Sequence, residues 1–201
     1  ETTLEFFRAT GAMTPGALGA AMLKFANNPK DKKALKALRA NPEYVGQTGT
    51  TCVATMLSGG HALNALPQRA SVSVNCRIFP GVAPDAVKQT LTDIVDDPQA
   101  EISFVDVPAF SDASPMRDDV MEAVRKSIDR RFPGLPVIPS MSAGASDSLY
   151  FRMHGVASYG VSGLFLKPSD DFTHGLNERA PASSVAGALD HWHTLLTELA
   201  N

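Results

Sequence analysis

Residues 71–81 read Ser71-Val72-Ser73-Val74-Asn75-Cys76-Arg77-Ile78-Phe79-Pro80-Gly81, and their reading decides the fold. Val72, Val74, Cys76 and Ile78 alternate strictly with Ser71, Ser73, Asn75 and Arg77. Successive strand side chains point to opposite faces, so this period of two predicts a half-buried strand with one apolar and one polar side. Pro80-Gly81 ends it as a turn. Upstream, Cys52, Ala54 and Met56 alternate with Val53, Thr55 and Leu57. Between the two runs lies Gly59-Gly60-His61-Ala62-Leu63-Asn64-Ala65-Leu66-Pro67, rich in turn formers. The two runs read as antiparallel strands hinged near position 64. That hinge sets Cys52 opposite Cys76 on the apolar face. Two small buried thiols are the expected state there, with a disulfide as the alternative.

Working outward, Ala83-Pro84-Asp85 opens a helix with Val87, Leu91, Ile94 and Val95 on one stripe. Asp97-Pro98 ends it, and Ile102, Phe104 and Val105 predict a third strand. Residues 50–107 thus read β-β-α-β, a small antiparallel sheet covered on one face by helix. The first 45 residues read as short helices. Thr14 is the expected N-cap of one, with Pro15 at its first position and Leu18, Met22 and Phe25 on its face. Asp31 caps the next, which carries Leu35 and Leu38 and ends at Asn41-Pro42. Its Lys32, Lys33 and Lys36 form a solvated face. Beyond Pro108, Ser114-Pro115 is expected to cap a helix to about Arg131 with Val120, Val124 and Ile128 at i, i+4, i+8. Short apolar runs at 136–138 and 156–160 read as strands. A last helix over 183–199 has Val185, Leu189, Trp192, Leu195 and Leu196 on its expected apolar side. This alternation suggests part of an α/β sheet.

Composition narrows the function. The 201 residues carry 18 Lys and Arg against 21 Asp and Glu, with 44% hydrophobic residues. That balance fits a globular domain rather than a disordered chain. The mild acidity argues against a nucleic-acid binder, which shows a basic stripe. No apolar run approaches the roughly 20 residues a membrane span needs. Two cysteines exclude a disulfide scaffold and a C-x-x-C motif. The chain opens at Glu1 without a basic or apolar leader, which leaves the compartment unassigned.

Five histidines are present. His191 and His193 lie two apart on a helix and face apart, and His154 suits a helix end, so these three read as structural. His61 and His174 sit in polar, Gly-rich loops, where sites concentrate. His174 lies in Asp170-Asp171-Phe172-Thr173-His174-Gly175-Leu176-Asn177-Glu178, carboxylates beside an imidazole. A catalytic zinc takes about three protein ligands, and the sequence has no H-E-x-x-H, H-x-D or paired Cys to supply them. Gly144-Ala145-Ser146-Asp147-Ser148 departs from a G-x-S-x-G elbow at its last position. It reads as a turn into a helix. Arg77 stands on the polar face of the deciding strand, where a guanidinium can grip a carboxylate in a two-pronged fork.

Four stretches in series carry a resemblance. They are Thr50-Thr51-Cys52 through Asn64-Ala65-Leu66-Pro67, then Val74 to Gly81, then Gly144-Ala145-Ser146-Asp147-Ser148, then Thr173-His174-Gly175-Leu176-Asn177-Glu178. In order and spacing the chain resembles the aminoacylase, carboxypeptidase S and succinyl-diaminopimelate desuccinylase family of di-zinc metallopeptidases. The branch it most resembles is that of carboxypeptidase S and the N-fatty-acyl-amino-acid hydrolases. The resemblance implies an α/β class chain. Residues 1–107 would be most of a ferredoxin-like α+β lid, or dimerisation, domain. Residues 108–201 would be the C-terminal part of the α/β zinc-binding catalytic domain. It further implies amide hydrolysis of an N-acyl amino acid or small peptide, two zinc ions, and a homodimer formed through the lid. His174 would be the final zinc ligand. Asn64 and Arg77 would hold the substrate carboxylate or developing oxyanion, with Asn64 reaching the partner subunit's site. Gly144, Ala145 and Ser146 would border the substrate, with His61 beside Asn64 as a further candidate contact. The family's other ligands and its general base precede the lid, so the chain is expected to be the downstream half of an enzyme, inactive alone. A non-catalytic dimerisation module derived from the family is the alternative.

Overall fold

The computed structural model describes residues 1–167, 170 and 172–200. In chain order the elements are α1 (Thr2–Met13), α2 (Gly16–Asn27), α3 (Lys32–Arg39), α4 (Pro42–Val45), β1 (Thr51–Gly59), β2 (Ala70–Arg77), α5 (Pro84–Val95), α6 (Asp118–Asp129), α7 (Ser148–Met153) and α8 (Val185–Ala200). Helices with a small two-stranded antiparallel sheet make the class α+β. The chain forms two compact units, Glu1–Ala113 with Ile138–Val156, and Ser114–Val137 with Ala157–Asn201.

The core of the first unit is helical. Phe7, Met22, Phe25, Leu38 and Tyr44 are buried together, with Leu18 and Leu35 packed against them. The Phe7 ring meets Phe25 and Tyr44 edge-on at 5.3 and 5.7 Å, a geometry that adds about 0.5–1.5 kcal/mol per pair beyond area burial. Close approach of α1 and α2 requires Gly11, where a Cβ would stand 2.8 Å from that of Met22. Asp31 caps α3 as expected, its Oδ1 accepting from the amides of Lys33 and Ala34 at 3.0 and 2.9 Å. Thr14 does not cap α2. It closes α1 instead, its hydroxyl donating to the Thr10 carbonyl at 2.8 Å, a last-turn acceptor otherwise left open.

The hairpin follows the expected register at its open end, with Thr51 opposite Arg77 and Cys52 opposite Cys76. A bulge between Ala54 and Met56 then shifts it, so Met56 faces Ser73 and Leu57 faces Val72. Leu57, not Met56, therefore joins the face of Cys52 and Ala54. The expected third strand does not form: residues 101–105 join no ladder, and the sheet among the described residues has two strands. A strand needs a partner edge, and Val105 is left 87% exposed. Helix α5 forms over the expected residues but buries none of them.

In the second unit, α6 and α8 pack through Ala123, Val124, Ile128 and Leu195, with Val120, Val137, Val161 and Phe165 against them. Ser114 does not cap α6; its hydroxyl donates to the Ser158 carbonyl and accepts the Ser158 amide, both at 2.9 Å. Residues 136–138 and 156–160 are not strands. The buried stripe of α8 is Ala188, His191, Thr194 and Leu195, while Val185, Leu189 and Leu196 are exposed. The apolar side is thus rotated from the expected one. Arg131 ties this unit together, donating from Nη1 to the Gly163 carbonyl at 2.7 Å and lying 4.8 Å over the Phe165 ring. Among the described residues no helix is long and apolar enough to cross a membrane.

Candidate functional site

Arg77 occupies the last rung of β2, opposite Thr51. The chain beyond it is fixed by the Phe79 amide donating to Thr50 Oγ1 at 3.0 Å. Next to it, Cys52 and Cys76 are joined by a disulfide, which corrects the expectation of free thiols. Their Cα atoms are 4.1 Å apart, the spacing of a directly opposed, close pair in an antiparallel ladder. Among the described residues no acidic side chain pairs with Arg77. An exposed guanidinium beside a bridged rung is a ready anion contact.

His61 and Asn64 lie exposed in the loop at the other end of the hairpin. Ala70 to Arg77 spans the whole of β2, roughly 23 Å at about 3.3 Å per residue. Asn64 thus belongs to the loop entering β2 and Arg77 to the strand's far end.

Gly144, Ala145 and Ser146 form the loop before α7. The Gly144 amide donates to Ser142 Oγ at 3.1 Å. Ser146 Oγ accepts the Ser148 amide at 3.3 Å and donates to Ser148 Oγ at 3.1 Å. Ala143 seats the loop against α4, because a Cβ on Gly46 would come within 2.4 Å of its methyl. Glycine at 46 thus has a packing reason. His154 caps the end of α7.

His174 is exposed at the apex of a turn. Its φ is +62°, a left-handed conformation that non-glycine residues hold at a cost of roughly 1–3 kcal/mol and that concentrates at functional sites. The turn is closed by the Gly175 amide donating to the Phe172 carbonyl at 2.7 Å and the Glu178 amide to the Gly175 carbonyl at 3.3 Å. Asp170 pairs with Arg179 at 3.5 Å, and Arg179 lies 4.0 Å from the Phe172 ring centre. Asp171 is outside the described residues. Arg179 carries no signal in the sequence beyond being a cation after the Asn177-Glu178 pair. An outward imidazole with no hydrogen-bond partner among the described residues suits one zinc coordination position. Among those residues no group of three His, Cys, Asp or Glu side chains comes together, so they offer a single ligand and not a complete centre.

Residues 16–103 match the model of the peptidase dimerisation domain. N-fatty-acyl-amino acid synthase/hydrolase PM20D1 of Xenopus tropicalis is 28% identical over 155 residues, covering 75% of this chain and 30% of the relative. The probable carboxypeptidase S-like 2 of Dictyostelium discoideum is 20% identical over 163 residues, 80% of this chain and 31% of the relative. Aminoacylase-1 of Mus musculus is 26% identical over 172 residues, 85% and 42%. The chain thus spans about a third of the length of the curated relatives it matches. No solved structure matches.

Proposed function

We propose that this chain, which belongs to the M20 peptidase family of aminoacylase and carboxypeptidase type, is part of a zinc-dependent hydrolase. The substrate is an N-acyl amino acid or small peptide with a free carboxylate. Residues 1–107 act as lid and dimerisation domain, and residues 108–201 as the end of the catalytic domain. Arg77 is the carboxylate grip, and Asn64, with His61 beside it, serves the partner subunit's site. The loop of Gly144, Ala145 and Ser146 borders the substrate. His174 is one metal ligand, and the other ligands and the general base come from outside these 201 residues. Bound zinc in such enzymes polarises the scissile carbonyl and activates water. The residues of this chain would contribute position and charge: the Arg77 guanidinium would orient the carboxylate end of the substrate.

The observation that carries this reading is Arg77, held on the rung beside the disulfide with no acidic partner for its guanidinium among the described residues. A charged hydrogen bond lost from a substrate costs about 1.5–3 kcal/mol. In the enzyme containing this chain, Arg77→Ala is therefore expected to raise KM for an N-acyl amino acid roughly tenfold or more, and to leave a neutral ester analogue unaffected. Equal KM for both substrates in wild type and variant would refute the grip.

A second reading, a non-catalytic dimerisation or binding module, is favoured by the hairpin, which leaves Leu57 84% and Met56 69% exposed. Amide hydrolysis by the enzyme containing this chain, lost when His174 is replaced, separates the two.

A further inference from the structure

Arg179 reaches back across the loop that carries His174. It pairs with Asp170 at the start of the loop at 3.5 Å, and its guanidinium stacks 4.0 Å from the centre of the Phe172 ring. Between these two grips the backbone folds through the Gly175-to-Phe172 and Glu178-to-Gly175 bonds. His174 stands at the apex in the left-handed region. Phe172 is only partly buried and residues 173–179 are exposed, and Asp170, Arg179, Ala180 and Pro181 line an open hollow of about 230 Å³. A left-handed histidine persists only where its surroundings over-determine it. A guanidinium does this in a way an ammonium cannot, since its plane lies flat on a ring while its edge pairs with a carboxylate.

We propose that Arg179 is a positioning residue, which grips Asp170 and Phe172 together and so fixes the turn that holds the His174 imidazole outward. The proposal rests on the reading of His174 as a zinc ligand and deepens it. Supporting groups one step removed from a ligand typically govern metal affinity by about 10–100-fold. By charge alone, removing a cation from this loop would favour binding of a metal cation. Weaker binding on its removal therefore reports geometry rather than electrostatics.

The test uses the full polypeptide that carries these residues. Amide hydrogen exchange is read at Gly175 and Glu178, and Zn²⁺ affinity by competition with a chromophoric chelator. Arg179→Ala is expected to speed exchange at both amides at least tenfold and to weaken Zn²⁺ binding by about tenfold or more, with the thermal transition of Trp192 fluorescence unmoved. Arg179→Lys, which keeps the charge but not the plane, is expected to restore neither fully. Phe172→Leu, which leaves the Asp170 pair intact, is expected to loosen the same two amides. Unchanged exchange in Arg179→Ala overturns the proposal, as does Zn²⁺ binding that stays equal or tightens in Arg179→Ala while His174→Ala weakens it. If His174→Ala leaves Zn²⁺ affinity unchanged while Arg179→Ala still frees the two amides, the clamp stands and the ligand reading fails.

Discussion

His191 has no accessible surface, and neither of its ring nitrogens has a hydrogen-bond partner among the described residues. It lies between Phe165 and Trp192, ring centres 6.4 and 5.8 Å away. Burial pushes its imidazole below the ordinary value of 6.5, the Arg131 cation pushes it further, and Asp190 opposes them weakly. Well above pH 6.5 the ring is neutral whether folded or unfolded and contributes no pH dependence. As pH falls below 6.5 the unfolded chain takes up a proton that the folded chain refuses, so stability drops with acid. Denaturation followed by Trp192, the chain's single tryptophan, is expected to show lower stability of the second unit at pH 5 than at pH 7.5. In His191→Leu that difference is expected to shrink. An unchanged pH slope in the variant would show that the site does not titrate. The structural reading of this histidine was legible from its helical spacing, but its burial was not. Counting Leu189 and Leu196 as core and the imidazole as polar rotated the apolar face of α8. An Arg131 stacked on Phe165 supplies cover that residue type alone does not announce.

At the scale of the element, the hairpin was the most legible part of the chain, because two-residue periodicity on both strands fixes a register. Thr55, the residue left over between Ala54 and Met56 in the ladder, was invisible in that pattern, since its alternation continues unbroken through the bulge. The cap at Thr14 and the cap at Ser114 misled for a shared reason. A hydroxyl before proline satisfies either the helix behind it or a distant strand-like segment as readily as the helix ahead. The disulfide is where the hairpin's stability is concentrated. Two strands without a third are marginal in water, and α5 buries no residue here. Closing a loop with a sequence separation of 24 stabilises by about 3 kcal/mol in the chain-entropy picture. Cys52→Ser with Cys76→Ser is therefore expected to speed amide exchange along β1 and β2 on the order of a hundredfold, leaving the amides of α2, in the helical core, slow. Equal ladder exchange in wild type and the double variant would show that pairing and not the bond holds the strands.

At the scale of the whole molecule, the candidate site was legible as a set of residues and not as a place. Asn64 lies in the loop that precedes β2 and Arg77 on its last rung, so the length of β2, roughly 23 Å at about 3.3 Å per residue, lies between that loop's end and Arg77. Motifs record order, whereas a strand turns order into distance. In the proposed arrangement two copies meet, with Arg77 acting in its own subunit and Asn64 in the other. A mixed dimer tests that arrangement with no new structure. Pairing an Asn64→Ala subunit with an Arg77→Ala subunit builds one site with both defects and one site with neither. Each homodimeric variant has one defect at every site. The mixed population of enzyme containing this chain is therefore expected to recover activity, up to about half of wild type per heterodimer, although neither variant alone has it. If both residues acted within one copy, every site in the mixture would keep a single defect. Activity would then stay at the average of the two parents, and the trans assignment of Asn64 would fall while the Arg77 grip remained to be judged by its own KM.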